Sequence, residues 1–180
     1  MVKYCAIAKK RLFLCMMLKK KTLLVMLALV VSFSACMKGE NYDKEAQLKI
    51  DTEAIQQFIT ANKLTDVKQS GDLFYQVIKE GTGTEVIKTS DKVEVNYEGK
   101  LLNGKVFDKT TTTPVSFVLG EVIEGWQAGV PLIKQGGTIR LLIPSTMAYR
   151  NRSTGAIPAN SPLDFTISVI SVNKKTENHQ

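Results

Sequence analysis

A period-two alternation of apolar and polar residues, recurring along the chain and broken only once, most restricts how this chain can fold. Val93, Val95 and Tyr97 alternate with Glu94 and Asn96, and Val115, Phe117 and Leu119 repeat the pattern. Ile139, Leu141 and Ile143 follow, and then Leu163, Phe165, Ile167 and Val169. Alternation of this kind puts one face of each strand in a core and leaves the other to solvent, as antiparallel sheets do. The break comes where Trp126, Val130 and Ile133 stand at i, i+4 and i+7, the spacing of one helix face, with Pro131 early in that helix. Asn103-Gly104 is a strong hairpin signal between Leu101-Leu102 and Val106-Phe107, and Gly81-Thr82-Gly83 closes a strand that begins at Leu73. The pattern predicts an α+β fold: an antiparallel half-barrel sheet wrapped around one short helix.

Ahead of the strands, Leu48, Ile55, Phe58, Ile59 and Leu64 recur at helical spacing with no Pro or Gly between Lys44 and Lys63. This predicts an N-terminal amphipathic helix, ended by Asn62 and followed by a polar linker, Lys68 to Asp72. Its apolar face would stack on its own domain or, as the second choice, pair with a copy of itself in a homodimer through residues 44–63.

The stretch from Tyr97 to Tyr149 gathers Tyr97, Phe107, Asp108, Phe117, Val122, Ile123, Trp126 and Tyr149 around very little ionisable chemistry. That inventory suits an apolar cup with a few polar fingers and lacks a Ser/His/Asp set or a metal-binding cluster. Four motifs, Tyr97-Glu98-Gly99, Gly104-Lys105-Val106-Phe107-Asp108, Glu121-Val122-Ile123-Glu124-Gly125-Trp126 and Ala148-Tyr149, resemble in order and spacing the FK506-binding-protein (FKBP) type of peptidyl-prolyl isomerase. The resemblance runs from about Leu73 to Val172. It implies isomerisation of Xaa-Pro bonds in polypeptides, a pocket that also takes FK506-like ligands, and no cofactor or metal. It places the catalytic group at Tyr97, Asp108, Ile123, Trp126 and Tyr149, with Trp126 as the floor under the proline ring. Phe107, Val115, Val122, Ile157 and Phe165 would contact substrate. The Ile123 N–H and Tyr149 hydroxyl would hold substrate carbonyls, and Asp108 would bond to Tyr97. The chain departs from the family at Val115, where an aromatic is usual and one wall would be thinner, and at Arg150, where glycine is common.

The charge is unevenly placed. Of the 24 Lys and Arg, seven lie in residues 1–35, which hold no acidic residue; the remaining 17 face 17 Asp and Glu. The alkaline pI therefore belongs to the leader, and a nucleic-acid partner loses its main support. Lys19-Lys20-Lys21 precede an uncharged apolar run, Leu23 to Ala35, too short for the ~20 residues of a spanning helix but long enough for a signal-peptide core. It ends in Phe33-Ser34-Ala35-Cys36, which resembles the lipobox of bacterial lipoproteins. Cleavage before Cys36 would leave it acylated and bound to membrane. The absence of Asp after Cys36 fits an outer-membrane destination in the cell envelope. The expected organisation is a signal peptide over 1–35, a lipidated tether over 36–43, the helix and linker over 44–72, the isomerase domain over 73–173 and a polar tail over 174–180. Two rivals use the same residues differently: a non-catalytic module that grips a proline-containing partner in an envelope or surface-motility complex, and a chaperone that binds clients through the N-terminal helix.

Overall fold

The computed structural model describes residues 42–174; the lysine cluster, the apolar run, Cys36 and the polar tail beyond Lys174 lie outside the described residues. Helix α1 (Lys44–Ala61) opens on Asp43, whose carboxylate accepts from the Glu45 and Ala46 amides at 3.1 and 3.0 Å, a standard N-cap. It ends two residues before the expected Lys63. Lys63 takes the left-handed conformation (φ 51°) and donates to Thr60 O, while Leu64 donates to Ile59 O at 3.0 Å. This Schellman closure satisfies the last carbonyls and points the chain back toward the sheet.

The polar stretch expected to be a linker is partly a strand. Strand β1 (Lys68–Ser70) pairs with β2 (Leu73–Lys79) across a tight turn in which Gly71 has φ 58°. All three β1 side chains are exposed, so no alternation in the sequence could mark it. Strand β3 (Lys92–Leu101) turns at Gly104 (φ 85°) into β4 (Val106–Lys109), with Gly104 N–H donating to Leu101 O and Asn103 Oδ1 accepting from Lys105 N. Strand β5 (Val115–Val118) is followed by a 3-10 turn and by helix α2 (Glu124–Gly129). Pro131 does not sit early in this helix as the spacing suggested. The α-helix stops at Gly129, and Pro131 belongs to a separate 3-10 turn, Val130–Leu132, whose missing N–H it tolerates. Strands β6 (Thr138–Ile143) and β7 (Leu163–Asn173) complete the fold.

The strands form one antiparallel sheet in the order β1-β2-β6-β7-β3-β4, with β5 taking the other half of the β3 edge. Alternation divides its two faces. On the inner face Leu73, Val93, Ile139, Leu141, Ile143 and Ile167 are fully buried and pack with Trp126 and Val130 of the α2 region. Helix α2 lies so close to β6 that a methyl group at Gly125 would run into Ile143, and one at Gly129 would sit 2.5 Å from Leu141 Cδ2. On the outer face Phe74 and Leu142 pack with Ile55 of α1, flanked by Phe58, Ile59 and Leu64. The apolar stripe of α1 therefore packs on its own sheet. Asp164 and Arg140 join this face through two parallel hydrogen bonds of 2.8 and 2.7 Å, and the Arg140 guanidinium lies 5.6 Å from the centre of the Phe58 ring.

Candidate active site

A cavity of about 380 Å³ opens beside α2 on the inner face. Its lining comes from Tyr97 (β3), Phe107 and Asp108 (β4), Phe117 (β5), Glu121, Val122 and Ile123 (the approach to α2), Trp126 (α2), Tyr149 (the loop after β6) and Phe165 (β7). Trp126, only 4 % exposed, is the hub. Tyr97, Phe117 and Phe165 meet it edge to face, with ring centroids at 5.3, 5.8 and 5.3 Å. Each such pair adds about 0.5–1.5 kcal/mol beyond the buried area, so the walls hold one another rigid without help from a ligand. The indole N–H of Trp126 finds no acceptor among the described residues.

Neighbouring residues in a strand point to opposite faces, yet Phe107 and Asp108 both reach this cavity. The cause is a β-bulge. Gly99 pairs with Asp108 and Lys100 with Val106, which leaves Phe107 as the extra residue and turns its ring inward. Gly99 makes room for it: a methyl group there would lie 2.6 Å from Phe165 and 2.7 Å from Phe107. The two rings meet edge to face at 5.4 Å through the space that glycine leaves.

The polar groups are few and mostly committed. The Tyr97 hydroxyl donates to Asp108 Oδ2 at 2.6 Å. Burial, the hydrogen bond to Asp108, that carboxylate's charge and Tyr149 together push the Tyr97 pKa well above the ordinary tyrosine value. Burial and the Asp108 charge raise that of Tyr149 as well. Both phenols are therefore neutral donors at physiological pH. Gln127 Nε2 donates to Val122 O at 2.7 Å and Gly120 O at 3.2 Å, fixing the approach loop that carries Ile123. The Ile123 carbonyl caps α2 by accepting from Trp126 N, while its N–H, like the Tyr149 hydroxyl, donates no hydrogen bond among the described residues. Among the described residues the Ile123 N–H, the Tyr149 hydroxyl and the Trp126 indole N–H are thus cavity donors without an acceptor.

Of the residues expected to act together, Tyr97, Asp108, Ile123, Trp126 and Tyr149 do line one cavity, as do Phe107, Val122 and Phe165. Val115 and Ile157 do not. Val115 starts the β5 edge strand and is 37 % exposed, and Phe117, two residues on and on the same strand face, supplies the aromatic wall. Ile157 pairs with Thr154 in a short bridge and is buried in the inner core. Glu121, Gln127 and Thr110 were not singled out. Thr110, in a run that reads as an ordinary loop, locks Tyr97 by exchanging hydrogen bonds with its N–H and C=O. Arg150 adopts φ 57°, where glycine is favoured, and its guanidinium pairs with Glu124 at 2.6 Å.

The site is an aromatic cavity built on Trp126, between an antiparallel sheet and a short helix. Comparison with known proteins specifies it further. The profile of the FKBP-type peptidyl-prolyl cis-trans isomerase family matches residues 83–170. The crystal structure of FkpA from Escherichia coli aligns with a TM-score of 0.62 at 39 % identity, over 86 % of this chain and 71 % of that one. A peptidyl-prolyl cis-trans isomerase of Pseudomonas syringae pv. tomato aligns with a TM-score of 0.60 at 33 % identity, over 76 % of this chain and all of that one. A Haemophilus influenzae protein named "Probable FKBP-type peptidyl-prolyl cis-trans isomerase" is 40 % identical over 143 residues. These cover 78 % of this chain and 58 % of that protein, so the chain spans little more than half of that relative's length. The chain belongs to the FKBP-type peptidyl-prolyl cis-trans isomerase family.

Proposed function

We propose that the domain catalyses cis–trans isomerisation of Xaa-Pro bonds in exported polypeptides. The observation that carries this reading is the composition of the cavity: a preformed aromatic cluster around Trp126, with the Ile123 N–H and the Tyr149 hydroxyl among the donors left uncommitted by the described residues. Rotation about the bond must break amide resonance, a barrier of ~18–20 kcal/mol, and takes tens of seconds unaided. No covalent step is required. In the twisted amide the nitrogen loses conjugation, and a less polar setting favours that state over the planar one. Each ~1.4 kcal/mol of preference for the twisted form gives a tenfold gain in rate. The proline ring would rest on Trp126 between Tyr97, Phe107 and Phe165. Neighbouring carbonyls would accept from Ile123 N–H and Tyr149 Oη, and Asp108 would hold Tyr97 in place. FK506-like macrocycles, which present a ring amide of the same kind, would compete for the cavity.

The same reading places the enzyme on a membrane of the cell envelope, through acyl chains on Cys36, with residues 37–43 as the tether. Its support is the lysine cluster, the short apolar run and the small residues before Cys36. Cys36→Ser would release the mature protein from the membrane fraction.

The enzymatic reading is tested by following isomerisation of a panel of short Xaa-Pro peptides. Acceleration by the wild-type protein, reduced in Tyr149→Phe and abolished in a folded Trp126→Leu variant, is the expected result. A folded wild type that accelerates none of them would overturn it.

A further inference from the structure

We propose that Asp51, on helix α1 and outside residues 83–170 that the family profile matches, is a positioning residue for Tyr149. Asp51 is 1 % exposed, on a helix whose other carboxylates face solvent. A carboxylate removed from water is costly unless its oxygens are hydrogen-bonded, and here both are. Oδ1 accepts from Gln47 Nε2 at 2.7 Å, and Oδ2 accepts from the Ser145 N–H at 2.7 Å and the Ser145 hydroxyl at 2.6 Å. This is a contact across 94 positions of sequence, between a helix on the outer face and the first residue after strand β6 and Pro144.

Ser145 is bound from its other side too. Its carbonyl accepts from Ala148 N–H at 3.0 Å and from Arg150 N–H at 2.8 Å, the two amides that flank Tyr149. The peptide groups on both sides of Ser145 are therefore engaged, one toward α1 and one toward the turn that presents the Tyr149 ring to the cavity. Farther along, the segment from Ser145 to Pro162 is held by the Arg150–Glu124 pair, the Asn160 N–H to Arg150 O bond, the Thr154–Ile157 bridge and the burial of Ile157, while its first residue is anchored by Asp51. Reach of a donor to a substrate carbonyl is sensitive to displacements of a fraction of an ångström. Helix α1 is in this account a brace for the active site, and the Asp51 carboxylate is the joint.

The kinetic part of this inference rests on the isomerase reading; the geometric part does not. The test compares Asp51→Ala and Asp51→Asn with Phe58→Leu, which weakens the packing of the same helix without touching the joint. Two readouts are taken on each full-length variant: kcat and KM on an Xaa-Pro peptide, and the NMR shifts of the Ala148, Tyr149 and Arg150 amides. Asp51→Ala is expected to lower kcat about tenfold with little change in KM, and to move all three amide signals. Asp51→Asn, which keeps one oxygen able to accept from Ser145, should recover most of both. Phe58→Leu should lose stability while kcat and the three signals stay as in the wild type. If Asp51→Ala proves unfolded, Ser145→Ala removes the hydroxyl bond alone and is read in the same way. The inference is overturned if the amide signals stay in place in the folded variant, or if Phe58→Leu moves them as far as Asp51→Ala does. An inactive wild type would remove the isomerase reading, and the NMR signals would still decide whether Asp51 positions Tyr149.

Discussion

The two faces of this sheet are built on opposite terms. On the inner face, aromatic rings meet edge to face around Trp126, and three donors, the Trp126 indole N–H among them, find no partner among the described residues. On the outer face, where α1 docks, the charged groups are matched: Arg140 with Asp164, and Asp51 with Gln47 and Ser145. Unmatched polarity is a cost to folding and a resource for binding. The outer face spends its polar groups on holding the molecule together, and the inner face leaves donors uncommitted.

The largest loss belongs to the inner hub. Trp126→Ala removes the ring that touches three others and leaves a cavity, so unfolding in urea should show a loss of about 3–5 kcal/mol. Next comes the outer ion pair. Asp164→Ala strands the half-buried Arg140 charge and is expected to cost about 2 kcal/mol, the partial exposure of Arg140 holding it below the figure for a fully buried pair. Replacing both, Arg140→Met with Asp164→Leu, should recover most of that loss, since matched charges gain little over matched apolar groups. Recovery would confirm that the outer face needs pairing rather than charge.

A smaller effect lies in alkaline solution. Tyr97 and Tyr149 hold their protons in the folded state to higher pH than in the unfolded chain. Above the ordinary tyrosine pKa of about 10, the unfolded chain loses these protons while the folded protein keeps them. Stability is therefore fully present below that pH and falls as pH rises above it. Urea unfolding across this range should show the decline, and Tyr97→Phe should flatten it. The smallest effect belongs to Arg150. Arg150→Gly relieves roughly 1 kcal/mol of left-handed strain but gives up an exposed ion pair and frees the unfolded chain, for a net change within about 0.5 kcal/mol. Arg150→Ala keeps the strain and loses the pair, and should destabilise by up to about 1 kcal/mol in the same assay.

Much of the fold was legible because alternation is a local signal. Ile139, Leu141 and Ile143 point inward as their spacing says, and Asn103-Gly104 makes the turn it suggests. The sequence motifs also collected most of the cavity lining. What escaped depends on events that spacing does not record. The β4 bulge brings adjacent residues Phe107 and Asp108 to one side, against the alternation rule. Val115 and Phe117 share a face, so pattern alone could not tell which of them reaches the cavity; the position of β5 along β3 decides it. Ile157 reads as a loop residue open to substrate, yet its loop folds it into the core. The Asp51–Ser145 joint is beyond any local pattern, because nothing near Asp51 announces a partner so distant along the chain.

Exchange NMR on a proline peptide at equilibrium distinguishes an inner face that accelerates rotation from one that merely grips proline. The peptide's cis and trans signals exchange over roughly 10–100 s unaided. A small amount of wild-type protein should shorten that time manyfold, Phe58→Leu should do the same, and Trp126→Leu should not. Peptide signals that shift on addition of wild-type protein while the exchange time stays unchanged would contradict acceleration and make the cavity a binding site without catalysis.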